Sequence, residues 1–268
     1  MTPGAHIGLD AHLYHAAPGV SASMLRELRR SPAHLQTYLA GRRDSTPAML
    51  RGELSHYAAE GALLGQRSRF AIKPEGMSFA KKDGIAWKAE MLSAGLEIVP
   101  EATWNAAMVI GARVAEVCPI WEHAREVGGC EVSLFAHLDG LDQRCRIDCA
   151  PPGKDYLLDL KTCQDARADA FARAIATSGY HIQAAQYLAV WNAVHPDDQR
   201  TGFVFVAVES TAPHAAKVWE LGSESLAAGF RERERLLRIY AECMAANDWP
   251  AYDPTPETLE VPKWALAA

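Results

Sequence analysis

Apolar positions along this chain keep a helical period first, turn to strand alternation in the middle, and return to a helical period near the end. Met24, Leu25 and Leu28 recur at helical spacing behind Ser21 or Ser23, either of which can cap the first turn. Ser31-Pro32 opens a second helix, serine as cap and proline in the first turn. Thr46-Pro47 repeats that signal for a longer helix reaching about Leu64, with an apolar stripe of Leu50, Leu54, Tyr57 and Gly61. Gly52 and His56 are four apart and share a face away from that stripe. Residues 66–82 read as a loop or short strand, and Gly84 to Ala94 as a helix. Thr103 caps a further helix to about Val117, continued or kinked after Pro119. The first stretch, 1–20, shows no period and reads as an irregular arm.

Strand signals follow at Glu131–His137, Gln143–Cys149 and Tyr156–Lys161, the last two joined by the turn-rich segment 150–155. Helices are expected from Asp165 to Ala176 and from His181 to Ala193. The near-continuous apolar run Gly202–Val208 is the pattern of a strand buried on both faces, with Lys217–Leu221 pairing beside it. A long helix, Ser223–Ala246, precedes a proline-punctuated tail, 248–268. Helices, then a mixed sheet, then flanking helices make one α/β domain over 1–268.

The 268 residues are 49% hydrophobic, enough for a sizeable core and against disorder. A net charge of −6 argues against a general polyanion binder, although a basic groove can sit on an acidic protein. Arg67, Arg69, Lys73, Lys81, Lys82 and Lys88, against Glu75 and Asp83, form such a local excess, either a solvated loop or a strip facing DNA. The six cysteines contain no Cys-x-x-Cys pair and read as reduced thiols. No signal peptide, membrane span or lipidation motif stands out, which points to a cytoplasmic protein with no membrane partner.

Side chains alternate along a strand, so Asp159 and Lys161 share a face, and a hairpin register can bring Asp148 across to them. Two carboxylates for a divalent cation, with an ammonium beside them, suit hydrolysis of a phosphodiester by cation-activated water. Mg²⁺ needs only one or two protein carboxylates, and Mn²⁺ better tolerates an imidazole such as His56. With 14 Asp and 8 Lys, chance alone gives about 0.4 Asp-x-Lys triplets, so the surrounding motifs carry the weight. Glu131 is either a further carboxylate reaching the cation or an exposed strand end. Gln183 and Tyr187 share a helix face that either packs or lines a site, and His181 lies near that helix's start. Trp87 and Lys88 form either a stacking element for an unpaired base or part of the core. His6, His12, His15 and His34 fit no zinc spacing, and the chain has no glycine-rich phosphate loop.

Four motifs, in order, resemble the PD-(D/E)xK nuclease superfamily and, within it, the exodeoxyribonuclease VIII (RecE-type) and lambda-exonuclease-like branch. They are Gly52-Glu-Leu-Ser-His56, Arg146-Ile-Asp148, Asp159-Leu-Lys161 and His181-Ile-Gln183-Ala-Ala-Gln-Tyr187. Ile147 stands where the superfamily's name has proline. The resemblance implies a restriction-endonuclease-like α/β core, a central mixed sheet flanked by helices, with extra N-terminal helices. It implies catalytic Asp148, Asp159, Lys161, Gln183 and Tyr187, and a cation held by His56, Asp148, Asp159, the Leu160 carbonyl and Glu131. DNA contacts are expected from Gly52, Lys81, Lys82, Trp87 and His181. The implied activity is Mg²⁺-dependent 5′-to-3′ digestion of one strand at linear double-stranded DNA ends. The implied setting is phage-type recombination, in a homo-oligomeric ring of three or four copies beside a single-strand annealing protein. Rival readings are an endonuclease, a CRISPR- or helicase-associated nuclease, or a non-catalytic DNA-end-binding protein of the same fold.

Overall fold

A computed structural model describes residues 1–41, 46–59 and 69–261. Serine and threonine caps start the early helices as expected. Ser21 Oγ accepts from Met24 N at the head of α2 (Ala22–Leu28), and Ser31 Oγ from His34 N at the head of α3 (Pro32–Ala40). Thr46 Oγ1 accepts from Met49 N, 3.2 Å away, at the head of α4 (Pro47–Ala59). The expected continuation of that helix to Leu64, with Gly61 and Arg67, lies outside the described residues.

Six strands form the main sheet, in the order β1 (Gly4–His6), β4 (Cys130–Leu138), β5 (Leu141–Cys149), β6 (Tyr156–Cys163), β7 (Gly202–Glu209) and β8 (Ala216–Glu220). Only β6 and β7 run parallel, joined through α8 (Ala168–Ser178) and α9 (Tyr180–Val194); the other pairs are antiparallel. The apolar run of β7 lies between β6 and β8, with Phe203 to Val208 buried, as its composition requires. Two further strands, β2 (Phe70–Lys73) and β3 (Glu97–Pro100), pair in parallel as a separate ribbon. Among the described residues the remaining helices are α1 (Ala11–Ala16), α5 (Lys82–Ser93), α6 (Glu101–Val117), α7 (Pro119–Glu126) and α10 (Ser223–Ala246).

The sheet divides two cores. One face packs Leu134, Ile147, Leu157 and Phe205 against Phe171 of α8 and Leu188 of α9. The other packs Leu158, Leu160 and Val206 against Val114 of α6 and Trp121 of α7. α4 lies on α6 so closely that a Cβ at Gly111 would stand 2.7 Å from the Ala58 carbonyl carbon, and this contact brings His56 towards the sheet. Among the described residues no helix is long and apolar enough to cross a membrane.

Several expectations are corrected. The stretch read as irregular contains β1 and α1. Tyr14 of α1 is buried beneath Arg144 and Arg146, whose guanidinium carbons lie 5.0 and 4.7 Å from its ring centre. Thr103 does not cap α6, which begins at Glu101 directly after Pro100 ends β3. α7 is a separate helix, because Cys118 leaves helical geometry at φ −136°. α8 starts at Ala168 rather than Asp165, whose carboxylate is engaged by the Arg167 backbone N–H and guanidinium.

Candidate active site

Cys149 pairs with Leu158 between β5 and β6, and one further step of that register sets Asp148 opposite Asp159. Both carboxyls are buried. Asp148 Oδ2 accepts from the Leu160 backbone N–H at 2.8 Å and lies 3.4 Å from His56 Nδ1. Asp159 divides its two oxygens: Oδ1 accepts from the Gln183 amide at 2.9 Å, and Oδ2 pairs with the Lys161 ammonium. Lys161 Nζ rests 4.7 Å from the centre of the Tyr180 ring. The structure therefore gathers Asp148, Asp159, Lys161, Gln183 and His56 from four elements.

Glu131 belongs to this gathering rather than to an exposed strand end. One donor atom each from His56, Glu131 and Asp148 lie within 4.8 Å of one another. The Glu131 backbone is left-handed at φ 52°, a strained conformation for a residue with a side chain. There the alternation of β4 and β5 slips: Cys130 and Cys149 meet one core, while Val132 and Ile147 meet the other. Such a slip re-aims side chains. Arg146 holds Glu131 in place, its Nη1 3.3 Å from Glu131 Oε2, its Nε on Ser133 Oγ and its Nη2 on the Leu9 carbonyl.

Burial dominates the electrostatics. It pushes Asp148 and Asp159 up to about 7, more than the neighbouring Lys161 charge lowers them. It pulls His56 below the usual imidazole value, leaving a neutral ring able to donate a lone pair. Burial alone would lower Lys161, but Asp159 and Asp148 outweigh it and hold the ammonium above the ordinary lysine range. Tyr187 is raised well above its usual value, chiefly by burial and then by Tyr14 and Asp159 nearby.

This donor set fits a divalent cation. An imidazole and carboxylates converge, and burial raises both aspartates by penalising their charged form, a penalty that a cation would offset. Leu160 contributes its N–H to Asp148, and its side chain is buried in the second core. Beside the cluster opens a cleft of about 540 Å³, lined by His12 and His15 of α1, Glu53, His56 and Tyr57 of α4, Arg69, Glu97, Glu131 and Arg146. A larger hollow of about 830 Å³, between β6–β8 and α10, is lined by none of the cluster residues.

Other expected residues lie elsewhere. His181 turns away, its Nδ1 3.4 Å from the Ile175 carbonyl, because two helical steps from Gln183 reach the opposite face of α9. Lys81 and Lys82 are exposed at the head of α5, and Trp87 stacks on Phe79. A Cβ at Gly52 would meet nothing within 4 Å, so packing does not demand glycine there. Sequence reasoning named Arg146 only within its motif and Arg69 only in a basic strip, and missed Tyr180 as a neighbour of the site. It weighed His12 and His15 only as zinc ligands, since nothing local shows α1 folding over β5.

The family model described as a PDDEXK-like domain of unknown function (DUF3799) matches residues 21–259. No curated protein matches the sequence. A crystal structure from Eubacterium rectale, named "Putative exonuclease", matches with a TM-score of 0.62 at 14% identity, over 98% of this chain and 99% of that one. At that identity the likeness is one of fold, and it agrees with a restriction-endonuclease-like mixed sheet flanked by helices. The chain thus belongs to the PDDEXK-like DUF3799 family, within the PD-(D/E)xK nuclease superfamily.

Proposed function

We propose that the protein is a metal-dependent exodeoxyribonuclease acting on linear double-stranded DNA, 5′ to 3′. The observation that carries this reading is the convergence of His56, Glu131, Asp148, Asp159, Lys161 and Gln183, of which His56 and Glu131 line an open cleft. Mg²⁺ or Mn²⁺, held by Asp148, Asp159, Glu131, His56 and the Leu160 carbonyl, would offset phosphate charge and make water a stronger nucleophile. Lys161, fixed by Asp159 and by the Tyr180 ring, places an ammonium where negative charge develops on the phosphate. Gln183 orients Asp159 and so positions Lys161. Tyr187, protonated across the physiological range, offers a neutral hydroxyl to the DNA. Gly52 leaves open space beside α4 for the strand, and Lys81, Lys82 and Trp87 supply an outer DNA-facing surface. In this reading the protein works in phage-type recombination, as a ring of three or four copies beside a single-strand annealing protein.

Linear duplexes blocked at the 5′ or the 3′ end, and a closed circle, test the reading with and without Mg²⁺. Loss of the linear duplex open at its 5′ end, with the circle intact, is expected. Asp159→Asn abolishes this digestion, and Lys161→Ala slows it about 10²–10³-fold. Unaltered digestion by Asp159→Asn refutes the assigned site, and cutting of the circle refutes the exonuclease. Sizing should give a trimer or tetramer; a monomer at high concentration removes the ring.

A further inference from the structure

Among the described residues α5 has few anchors of its own. Of its 12 residues only Gly84 is buried, where the helix backbone presses on the Ser78 carbonyl. Ile85 and Leu92 stand 55% and 54% exposed. Phe79, just before the helix, and Trp87, upon it, are both half-buried. Their rings are stacked, with planes 16° apart and centroids 6.3 Å apart. Neither ring joins the nearby small core of Leu54, Phe70, Val99 and Trp104. Two ammonium groups lie over the Phe79 ring: Lys73 Nζ is 5.0 Å and Lys88 Nζ 5.3 Å from its centre. A half-open aromatic surface with cations close by matches a nucleobase and its phosphate, because every base offers a π-face whatever its identity.

Position strengthens the match. β2 runs from the cleft to this surface, with Arg69 lining the cleft just before Phe70 and Lys73 reaching Phe79 at the far end. Three strand steps cover about 10 Å, so an unpaired strand emerging from the cleft meets the rings within a short span. We propose that Phe79 and Trp87, flanked by Lys73 and Lys88, form a stacking platform for unpaired nucleotides of single-stranded nucleic acid. As a deeper statement of substrate handling it rests on the nuclease reading, but its test does not require cleavage.

The test is binding of fluorescein-labelled oligothymidylate and oligouridylate to the full chain in EDTA, followed by anisotropy. Trp87→Ala and Phe79→Ala are each expected to weaken binding about 5- to 100-fold. Trp87→Phe, which keeps an aromatic face, restores most of the affinity and shows that the loss is not one of folding. Lys73→Gln with Lys88→Gln weakens binding and reduces its salt dependence. Equal loss on both oligomers assigns the platform to bases in general; loss on one alone assigns it to DNA or to RNA. Wild-type affinity in Trp87→Ala overturns the platform. So does a Trp87→Ala protein that binds oligonucleotide normally but falls from oligomer to monomer, since the surface is then a contact between copies. If the wild-type chain digests no nucleic acid while Trp87→Ala still loses oligonucleotide affinity, the platform stands and the catalytic reading falls.

Discussion

Asp148 and Asp159 each hold a proton more tightly than an exposed aspartate, since burial penalises the charged form more than Lys161 favours it. Burial moves both up from 3.8 to about 7. A carboxyl that binds its proton more tightly when folded adds stability below its unfolded value and loses it as pH climbs through the folded one. Thermal melts in a chelator are therefore expected to fall between about pH 4 and pH 8 through this pair. Asp148→Asn combined with Asp159→Asn flattens that part of the profile. Mn²⁺ acts in the opposite sense: it needs ionised ligands, so its stabilising effect grows over the same interval. A double variant that keeps the full wild-type slope contradicts the assignment. Asp148, Asp159 and Lys161 were legible in the sequence because strand alternation sets Asp159 and Lys161 on one face, a hairpin register can bring Asp148 to them, and the surrounding motifs single them out. The setting of Glu131 was not, because its left-handed backbone breaks the alternation that such a reading assumes.

At the scale of elements, helices with polar caps and a regular apolar stripe were legible, and so was the central strand β7. β1, α1 and β3 escaped notice because three to six residues carry too short a period. Long-range contacts define them instead, as with Tyr14 and the Arg144 guanidinium that bonds the Gly19 and Tyr14 carbonyls. α10 is tied in by a buried arginine: Arg233 bonds Gln186 of α9 at 2.8 Å and Gln143 of β5 at 2.7 Å. The contact between α4 and α6 decides where His56 stands. Gly111→Ala would gain helix propensity, yet its methyl meets backbone at Ala58, so the helices must part. A destabilisation of about 1–3 kcal/mol is expected in urea unfolding, together with weaker Mn²⁺ affinity by calorimetry. Unchanged affinity in a destabilised Gly111→Ala would show that His56 is held by other means.

For the whole molecule, the sheet acts as a partition. Its two faces bury separate cores, and the cluster of acids sits near the point where β4 and β5 exchange faces. A cation there would touch residues from α4, β4 and β5 at once, tying the helical layer to the sheet. That arrangement explains why overall architecture followed from composition and pattern while the shape of the cleft did not. The cleft's walls are α1, α4 and the small ribbon, three pieces whose mutual placement no local signal records.

The guanidinium of Arg146 reaches beyond the stretch that the family model recognises. It grips the Leu9 carbonyl with one nitrogen and steadies Glu131 with another, although recognition begins only at residue 21. A protein trimmed to residues 21–259 would keep both cores but lose one of the tethers that keep Glu131 beside Asp148. Its Mn²⁺ affinity, followed by calorimetry, should decline more steeply than its melting temperature. The opening residues would then serve less as a lead-in to the catalytic body than as a latch upon it.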